Sequence, residues 1–384
     1  MIYFDNNATT RVAPQVFDAM TPFLTAAAYG NPSSAYPFGR ESRAAVEAAR
    51  ESVAGLIGAS GTDEIVFTSG GTESDNWAIM AALKANSGKR NHIVTTRVEH
   101  EAIRKLCERL ENRGEIRVTW LDVDENGALD LDQLAAALDE HTAVVSVMMA
   151  NNETGILFPV AEIAEIVKTH SNAFFHVDGV NAVGKIPVDL KNTAVDLFSL
   201  SGHKFHAPKG IGALYIRRGI DPAPMYAGGG QEMGRRPGTE AVHQIAGLGA
   251  AAEFVKDMTP MGQVRDLRDR LESKILDACP NSRINGASDR AHRLPNTSSI
   301  SFENTNGEAI LARLADLGVC VSTGSACSSD DHTASPVLQA MNIPYQRAMG
   351  AIRFSLGRFN TEKEVDFVLE HLPGIVADLH SLAN

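Results

Sequence analysis

The chain has 384 residues, of which 44% are hydrophobic and 21% are charged, a composition typical of globular proteins. Asp and Glu total 47 against 35 Lys and Arg, and the resulting net charge of -12 argues against nucleic acid as a direct partner. We see no secretory signal in MIYFDNNATT and no apolar run of the roughly 18 residues that a membrane span needs. Four scattered cysteines without zinc-site spacing predict a cytoplasmic protein without disulfides: Cys107, Cys279, Cys320 and Cys327.

Short β-rich segments alternate with helical segments between about residues 60 and 220. The predicted strands cover 64–69, 92–96, 116–121, 143–150, 174–178, 196–201 and 212–216. The predicted helices between them cover 74–85, 99–112, 131–139 and 160–170. Strand–helix alternation with near-continuous apolar strands predicts an α/β fold with a mainly parallel sheet covered by helices.

The pattern changes after about residue 240. A long helical stretch over 240–278 is followed by predicted strands at 298–302, 319–322 and 351–356 and by a helix over 361–382. We therefore expect a large domain at 15–255 and a smaller α/β domain built from 1–14 and 256–384. The glycine-rich stretch 226–236 is predicted to be a loop at a site or an interface.

Polar motifs follow five of the predicted strands. They are SGGTES, EHEA, NNETG, the aspartate of FFHVD, and GHK. Because ligands of parallel sheets bind at the carboxyl ends of the strands, these motifs are expected to converge on one crevice.

Lys204 and Asp178 carry the strongest chemical signal in these motifs. A lysine desolvated at the edge of a sheet can form a Schiff base, although a surface lysine is the commoner case. An aspartate at the end of an apolar strand needs a cationic partner, and the protonated ring nitrogen of pyridoxal phosphate would be one. A capping or turn aspartate is the alternative.

Three further positions extend this interpretation, each with an ordinary alternative. The glycines before Thr72 open a helix whose N-terminus would favour a phosphate, or they form an ordinary helix entry. His100 could stack on a cofactor ring and transfer protons, or lie at the surface. Arg353 could bind a substrate carboxylate, or form an internal ion pair.

The motifs together closely resemble those of the cysteine desulfurases of the NifS/IscS type. In chain order they are DNNATT, GNPSS, GTES, EH, ANNETG, HVD, SGHKFHAPKG, GGGQE, GRRPGTE, LPNT, STGSACSS and IRFSLGRFNTE, and they run from residue 4 to about 363. The resemblance implies pyridoxal 5'-phosphate on the fold-type I scaffold of PLP-dependent transferases, in a homodimer with sites at the interface.

The resemblance also implies a role for individual residues. Lys204 would bond to the cofactor, Asp178 would hold its pyridine nitrogen, and His100 would stack on the ring as acid and base. Phosphate binding is implied for Gly71, Thr72, Ser201 and His203, with Thr239 reaching in from the other subunit. Asn152 and Arg353 would hold the carboxylate of L-cysteine, and Asn152 and Asn181 would contact the cofactor.

Cys327 would take the sulfur of the substrate as a persulfide and pass it to an acceptor protein, leaving L-alanine. Its segment, at about 321–335, is rich in Gly, Ser and Ala, and we expect it to be a loop free enough to enter the pocket and leave it again. A free thiol in a surface loop is the alternative. The other three cysteines are expected to be structural. No metal is implied in the cofactor site, and a transient contact of Cys327 with a cluster stays open.

The chain departs from the family's motifs at four positions. Asn181 stands where a Gln usually contacts the phenolic oxygen of the cofactor, and Glu101 replaces a common Pro. Pro237 and Ala241 alter the usual GRRxGTxN. These changes leave substrate preference and rate open.

Other functions fit parts of the same pattern. A selenocysteine lyase or an aminotransferase could use the same fold, although an aminotransferase has no use for Cys327. A sulfur-delivery scaffold without catalysis is a third possibility. Iron–sulfur cluster assembly is the family's usual destination for the sulfur, and tRNA thiolation remains open.

Overall fold

A computed structural model of the chain describes residues 1–85, 89–287, 289–323 and 334–383. Its strands are β1 (Ile2–Tyr3), β2 (Ile65–Thr68), β3 (His92–Thr96), β4 (Arg117–Leu121), β5 (Thr142–Met148), β6 (Phe174–Asp178), β7 (Leu197–Ser201), β8 (Gly212–Ile216), β9 (Ser282–Ile284), β10 (Thr297–Phe302), β11 (Val319–Cys320), β12 (Ser322–Thr323) and β13 (Ala351–Ser355). Its α-helices are α1 (Pro14–Leu24), α2 (Pro37–Leu56), α3 (Gly71–Ala85), α4 (Glu101–Asn112), α5 (Leu131–Ala137), α6 (Val160–His170), α7 (Val242–Lys256), α8 (Thr259–Ala278), α9 (Gly307–Asp316), α10 (Pro336–Ala340), α11 (Tyr345–Met349) and α12 (Glu362–Ala383).

The large sheet has the strand order β2-β8-β7-β6-β5-β3-β4. Strands β7, β6, β5, β3 and β4 run parallel, and β8 is antiparallel to both of its neighbours. Because two antiparallel steps restore the direction, β2 points the same way as the parallel strands. The carboxyl ends of β2, β3, β5, β6 and β7 therefore lie at one edge of the sheet.

The central strands of this sheet are buried on both faces, as their apolar sequences predict. Every residue of β5, β7 and β8 is buried. Helix α3 packs against several of these strands, and α1, α2 and α7 pack together. The mainly parallel α/β architecture is thus confirmed.

The second sheet is antiparallel, in the order β12-β13-β10-β9, and β1 pairs in parallel with β11. Its core is separate from that of the large sheet and includes Phe4 as well as residues from 261 to 372. The first strand of the chain thus pairs with the C-terminal part, but the boundaries expected near 15 and 255 stay a prediction.

The predicted elements between 64 and 216 are confirmed, with end points shifted by a few residues. The helical stretch 240–278 is interrupted after Lys256, and α8 restarts with Pro260 in its first turn. The strand expected at 319–322 is divided into β11, which pairs with β1, and β12, which pairs with β13 of the second sheet. Within the described ranges, no helix is long and apolar enough to cross a lipid bilayer.

Candidate active site

A cavity of about 180 Å³ opens at the carboxyl edge of the large sheet. The residues that line it come from the ends of five strands, β2, β3, β5, β6 and β7, and from the segments that follow them. They are Gly71, Thr72, Asp75, His100, Met148, Ala150, Asn152, Asp178, Val180, Asn181, Ser201, His203 and Lys204. The convergence predicted from the strand-end motifs is therefore present in the structure.

Lys204 ends a 3-10 turn that directly follows β7. Its Nζ donates hydrogen bonds to the backbone carbonyl of Asn7 at 2.5 Å and to that of Ala8 at 3.0 Å. Burial lowers the pKa of this amine to about 8, and the nearby Arg353 charge acts in the same direction. An amine with this pKa is partly unprotonated near neutral pH and therefore nucleophilic.

Asp178 is the last residue of β6 and is buried, with one carboxylate oxygen accepting from the backbone N–H of Val180 at 2.9 Å. Burial raises its pKa, while the charges of His100 and Lys204 act in the opposite direction. A cation placed in the cavity would therefore favour the ionised form of this carboxyl group.

Two further buried acids lie beside Asp178, and neither was predicted from the sequence. Burial and the Asp178 charge raise the pKa of Asp75 well above its usual value. Burial raises the pKa of Glu99 to about 8. Asp75 is one helical turn beyond Gly71, and Glu99 directly precedes His100. Their positions next to predicted site residues are the sequence feature that could have identified them.

Asp75 also lies 3.6 Å from Nε2 of His176. Burial lowers the pKa of this histidine to about 3, so the contact is not an ion pair. One carboxylate oxygen of Asp75 is buried without a hydrogen-bond partner among the described residues. Both features favour the protonated form of Asp75 more than in an exposed carboxyl group.

The opposite side of the cavity can receive an anion. The sequence predicted that Gly71 and Thr72 precede a helix. Helix α3 instead begins at Gly71, so both residues lie in its first turn. Unpaired N–H groups of a first turn attract phosphate, and the helix dipole adds to this attraction. Ser201 is the last residue of β7, and His203 lies two residues beyond it. Nδ1 of His203 is 3.1 Å from the Thr9 hydroxyl.

His100 is the N-cap residue of α4. Its Nδ1 accepts a hydrogen bond of 3.1 Å from the backbone N–H of Ala102. A backbone N–H can only donate, so Nδ1 carries no proton and Nε2 carries the proton of the neutral ring. The exposed ring thus has a defined tautomer at the rim of the cavity.

Arg353 on β13 is buried and forms an internal ion pair with Asp5, at 2.6 Å. Its guanidinium also donates to the backbone carbonyl of Asn152 at 3.0 Å. The Nε atom is buried without a partner among the described residues. Arg353 therefore lies next to Asn152, one of the residues that line the cavity. Its ion pair with Asp5 also fits the alternative of a purely structural role.

Two predicted site residues in the described ranges, Arg353 and Thr239, are not among those that line the cavity. Thr239 is exposed, which agrees with the expectation that it contacts the cofactor site of a second subunit. Cys327 lies outside the described residues, because the description stops at Thr323 and resumes at Ala334.

Both ends of the Cys327 segment adjoin the site. Ser322 pairs with Arg353 in the sheet register. The hydroxyl of Ser335 donates to the carboxylate of the half-buried Glu153, which follows Asn152. The three described cysteines are free, and burial raises the pKa of Cys107 to about 12 and also raises that of Cys279.

The residues of the cavity fit the cofactor that the sequence resemblance implies. Pyridoxal phosphate requires a nucleophilic amine, an acid for its ring nitrogen and an anion site for its phosphate. Lys204, Asp178 and the first turn of α3 provide these three groups around one cavity. In the described part of the chain, no group of three or more His, Cys, Asp and Glu residues could hold a metal ion.

Comparisons with known proteins give consistent results. The model of the aminotransferase class-V family matches residues 2–368. A cysteine desulfurase of Nostoc sp. is 52% identical over 100% of this chain and 94% of its own length. The cysteine desulfurase NifS of Azotobacter vinelandii is 48% identical with the same coverage. A solved structure of a NifS-like protein is 39% identical, with a TM-score of 0.91 over 98% of this chain and 100% of the other.

Proposed function

Because the chain belongs to the aminotransferase class-V family and is a pyridoxal-phosphate-dependent cysteine desulfurase, we propose specific roles for the residues around its cavity. One observation carries this proposal. The Lys204 amine, the Asp178 carboxyl group and the first turn of α3 surround the same small cavity.

The cofactor, when bound, supplies an electron sink that weakens bonds of the amino acid attached to it. Lys204 bonds to it and then, as a free amine with a pKa of about 8, takes up and returns protons. Asp178 holds the proton of the pyridine nitrogen by accepting a hydrogen bond from it. Gly71, Thr72, Ser201 and His203 bind the phosphate, and Thr239 of a second subunit adds to them.

His100 stacks on the ring and exchanges protons through Nε2, because its Nδ1 is occupied by Ala102. Arg353 and Asn152 bind the carboxylate of L-cysteine. For Arg353 this means that the substrate shares the guanidinium with Asp5 or displaces it.

Cys327 receives the sulfur. Its thiolate attacks the sulfur of the substrate, a sulfur–sulfur bond forms, and the carbon–sulfur bond breaks. The electron pair stays with the carbon, which takes up a proton, so that L-alanine leaves and Cys327 carries the persulfide. The position of Ser322 and Ser335 at the site supports this role, as does the burial of Cys107 and Cys279.

Two variants test the roles of Lys204 and Cys327. Cys327→Ala should keep the visible absorbance of the bound cofactor but lose sulfide release from L-cysteine. Lys204→Ala should lose the absorbance of the lysine-bound cofactor. Normal turnover of cysteine by the Cys327 variant would refute the persulfide role, and an unchanged spectrum of the Lys204 variant would refute the cofactor role.

A homodimer is part of the proposal. Large apolar side chains are exposed on and around α1, α2 and the 226–236 loop: Phe17, Leu24, Tyr29, Tyr36, Tyr226 and Met233. A cavity of about 640 Å³ lies in the same region, between α2 and that loop. Aromatic and Met side chains are enriched in protein interfaces, so this surface suits a second copy of the chain.

The acceptor of the sulfur is proposed to be an iron–sulfur scaffold protein in the cytoplasm. The relatives named NifS support this choice, and the three free cysteines suit a reducing compartment. Incubation of the persulfide-loaded enzyme with purified scaffold proteins, followed by mass spectrometry of their cysteines, tests it. Failure of every scaffold to take up sulfur would contradict the assignment.

A further inference from the structure

A second lysine, Lys185, is buried four residues beyond Asn181, in the segment of turns that follows β6. Its Nζ donates to the amide oxygen of Asn181 at 2.5 Å and to the amide oxygen of Asn7 at 2.9 Å. Among the described residues it has no carboxylate partner. Such a lysine needs an explanation, because buried amines without an acid are rare.

The surroundings of Lys185 favour the uncharged form of its amine. Burial lowers its pKa well below the usual value, and the charges of Lys204 and Arg353 act in the same direction. A neutral primary amine has two N–H groups, and the two amide oxygens accept both of them. The arrangement is therefore complete without a counter-ion.

Asn7 connects this amine to Lys204. Its amide oxygen also accepts from Asn296 at 3.0 Å, and its amide nitrogen donates to the backbone carbonyl of Asn152 at 3.0 Å. Its backbone carbonyl accepts from Lys204 at 2.5 Å. The side chain of Asn7 is thus held on all sides, and its carbonyl is a fixed acceptor for the Lys204 amine.

Asn181 has a defined orientation for the same reason. Its oxygen accepts from Lys185, and its nitrogen donates to the backbone carbonyl of Asn151 at 3.2 Å. The opposite orientation would place its oxygen against the carbonyl oxygen of Asn151 and would remove one of the two acceptors of the Lys185 amine. Asn181 lines the cavity, and its nitrogen has a second N–H group.

We propose that Lys185 is a positioning residue of the cofactor site, which makes Asn181 offer an N–H group rather than its oxygen to the phenolic oxygen of the cofactor. The same amine keeps Asn7, and through it Lys204, in place. The inference rests on the proposed function, because it assumes that the cofactor is held by Lys204.

The chemical consequence is a change in how the bound cofactor titrates. A donor aimed at the phenolic oxygen stabilises the more negative charge state and therefore lowers the pH at which the lysine-bound cofactor loses a proton. Without Lys185, the amide of Asn181 is free to rotate and to present its oxygen. The midpoint of the titration should then rise.

The experiment measures the visible absorbance of the holoenzyme against pH. Lys185→Met should raise the midpoint by about one pH unit, as expected for the loss of one hydrogen bond to a charged group. Lys185→Gln keeps an NH2 group with two donors and should stay near the wild type. The exposed Lys191 provides the matched control, since Lys191→Met should leave the midpoint unchanged.

A double variant shows whether Lys185 acts through Asn181. Asn181→Leu alone should raise the midpoint, and adding Lys185→Met should raise it no further. An unchanged midpoint in Asn181→Leu or in Lys185→Met, additive shifts, or equal shifts in Lys185→Met and Lys185→Gln would each overturn the inference. Should Lys185→Met fail to fold, the Lys185→Gln and Asn181→Leu measurements still decide.

Failure of this inference can be distinguished from failure of the proposed function. If the function is wrong, Lys204→Ala leaves the absorbance spectrum unchanged. If only the inference is wrong, the Lys185 variants keep the spectrum of the lysine-bound cofactor, and one of the overturning results above is found for its midpoint.

Discussion

At the residue scale, the site combines groups whose ordinary charges are suppressed by burial. Lys204 and Lys185 have lowered pKa values, while Asp75, Glu99 and Asp178 have raised ones. Neutral amines and neutral acids can lie close together in a dry cavity without large desolvation costs. A cofactor that carries its own charges then decides which of these groups ionise.

Glu99 offers a test of this suppression through the pH dependence of stability. Its pKa is about 8 in the folded protein against 4.5 for the free side chain, so the folded state keeps a proton that the unfolded state releases. The stability contributed by the carboxyl group is present below pH 4.5 and is lost as the pH rises through 8.

Glu99→Gln cannot ionise, so its free energy of unfolding relative to wild type should rise between pH 4.5 and 8. The expected gain is about 1–3 kcal/mol, from urea unfolding at several pH values. A difference between the two proteins that does not vary with pH would show that Glu99 is ionised in the folded state.

Arg353 offers a second test, which separates substrate binding from a structural ion pair. Lysine keeps the charge but cannot form the two-pronged contact, so Arg353→Lys should raise KM for L-cysteine about 10- to 100-fold with a smaller change in kcat. A loss of stability with an unchanged KM would instead assign Arg353 to its pair with Asp5. Steady-state kinetics and thermal unfolding of the same preparation provide both measurements.

At the element scale, the ends of strands and helices place the chemistry. Ser335 is the N-cap of α10, and its hydroxyl accepts from the N–H groups of Val337 and Leu338 while donating to Glu153. Burial raises the pKa of Glu153 to about 7, and the Ser335 hydrogen bond opposes this rise. One serine thus joins the end of the Cys327 segment to the strand-end motif that contains Asn152.

Ser335→Ala should destabilise the protein by about 1–2 kcal/mol, because a cap and a partner of a half-buried carboxyl group are both lost. It should also lower sulfide release severalfold. Asn306→Ala is the matched control, since Asn306 caps α9 away from the site and should cost about 1 kcal/mol without lowering sulfide release. Equal activities of the two variants would contradict a role for Ser335 in the reaction.

At the scale of the whole molecule, a buried ion pair attaches the 226–236 loop to α2. Both oxygens of the Glu232 carboxylate accept from Arg50, at 2.7 and 2.8 Å, and one also accepts from the backbone N–H of Phe67. The backbone of Glu232 has φ of 50°, a conformation that an L-residue rarely adopts. The ion pair anchors Glu232 in this conformation, directly before the exposed Met233.

Glu232→Ala should cost about 3–5 kcal/mol in the free energy of unfolding, because Arg50 is left buried without its main partner. It should also weaken the proposed dimer, as measured by sedimentation against protein concentration. Glu47 contacts the same arginine but its side chain is exposed, so Glu47→Ala should change stability by less than about 1 kcal/mol. A monomeric wild-type protein would refute the dimer regardless of these variants.

Much of the architecture was predictable because its signals are local. Buried strands have continuous apolar runs, the chemical motifs directly follow them, and parallel strands bring their carboxyl ends to one edge. Lys204, Asp178 and His100 were therefore placed correctly around one cavity from the sequence alone. The order of the motifs also led to the family.

Other features depend on contacts between residues far apart in the chain, for which no local pattern exists. The pairing of Arg353 with Asp5, the contact of Lys185 with Asn7 and the packing of Asp75 beside His176 are of this kind. Burial in the folded chain, rather than residue type, sets the charge of these groups. The sequence by itself determined which reactive groups are present and in what order, while the tertiary structure decided their charges, their partners and which way their amides face, because desolvation and hydrogen bonding arise only once distant segments pack together.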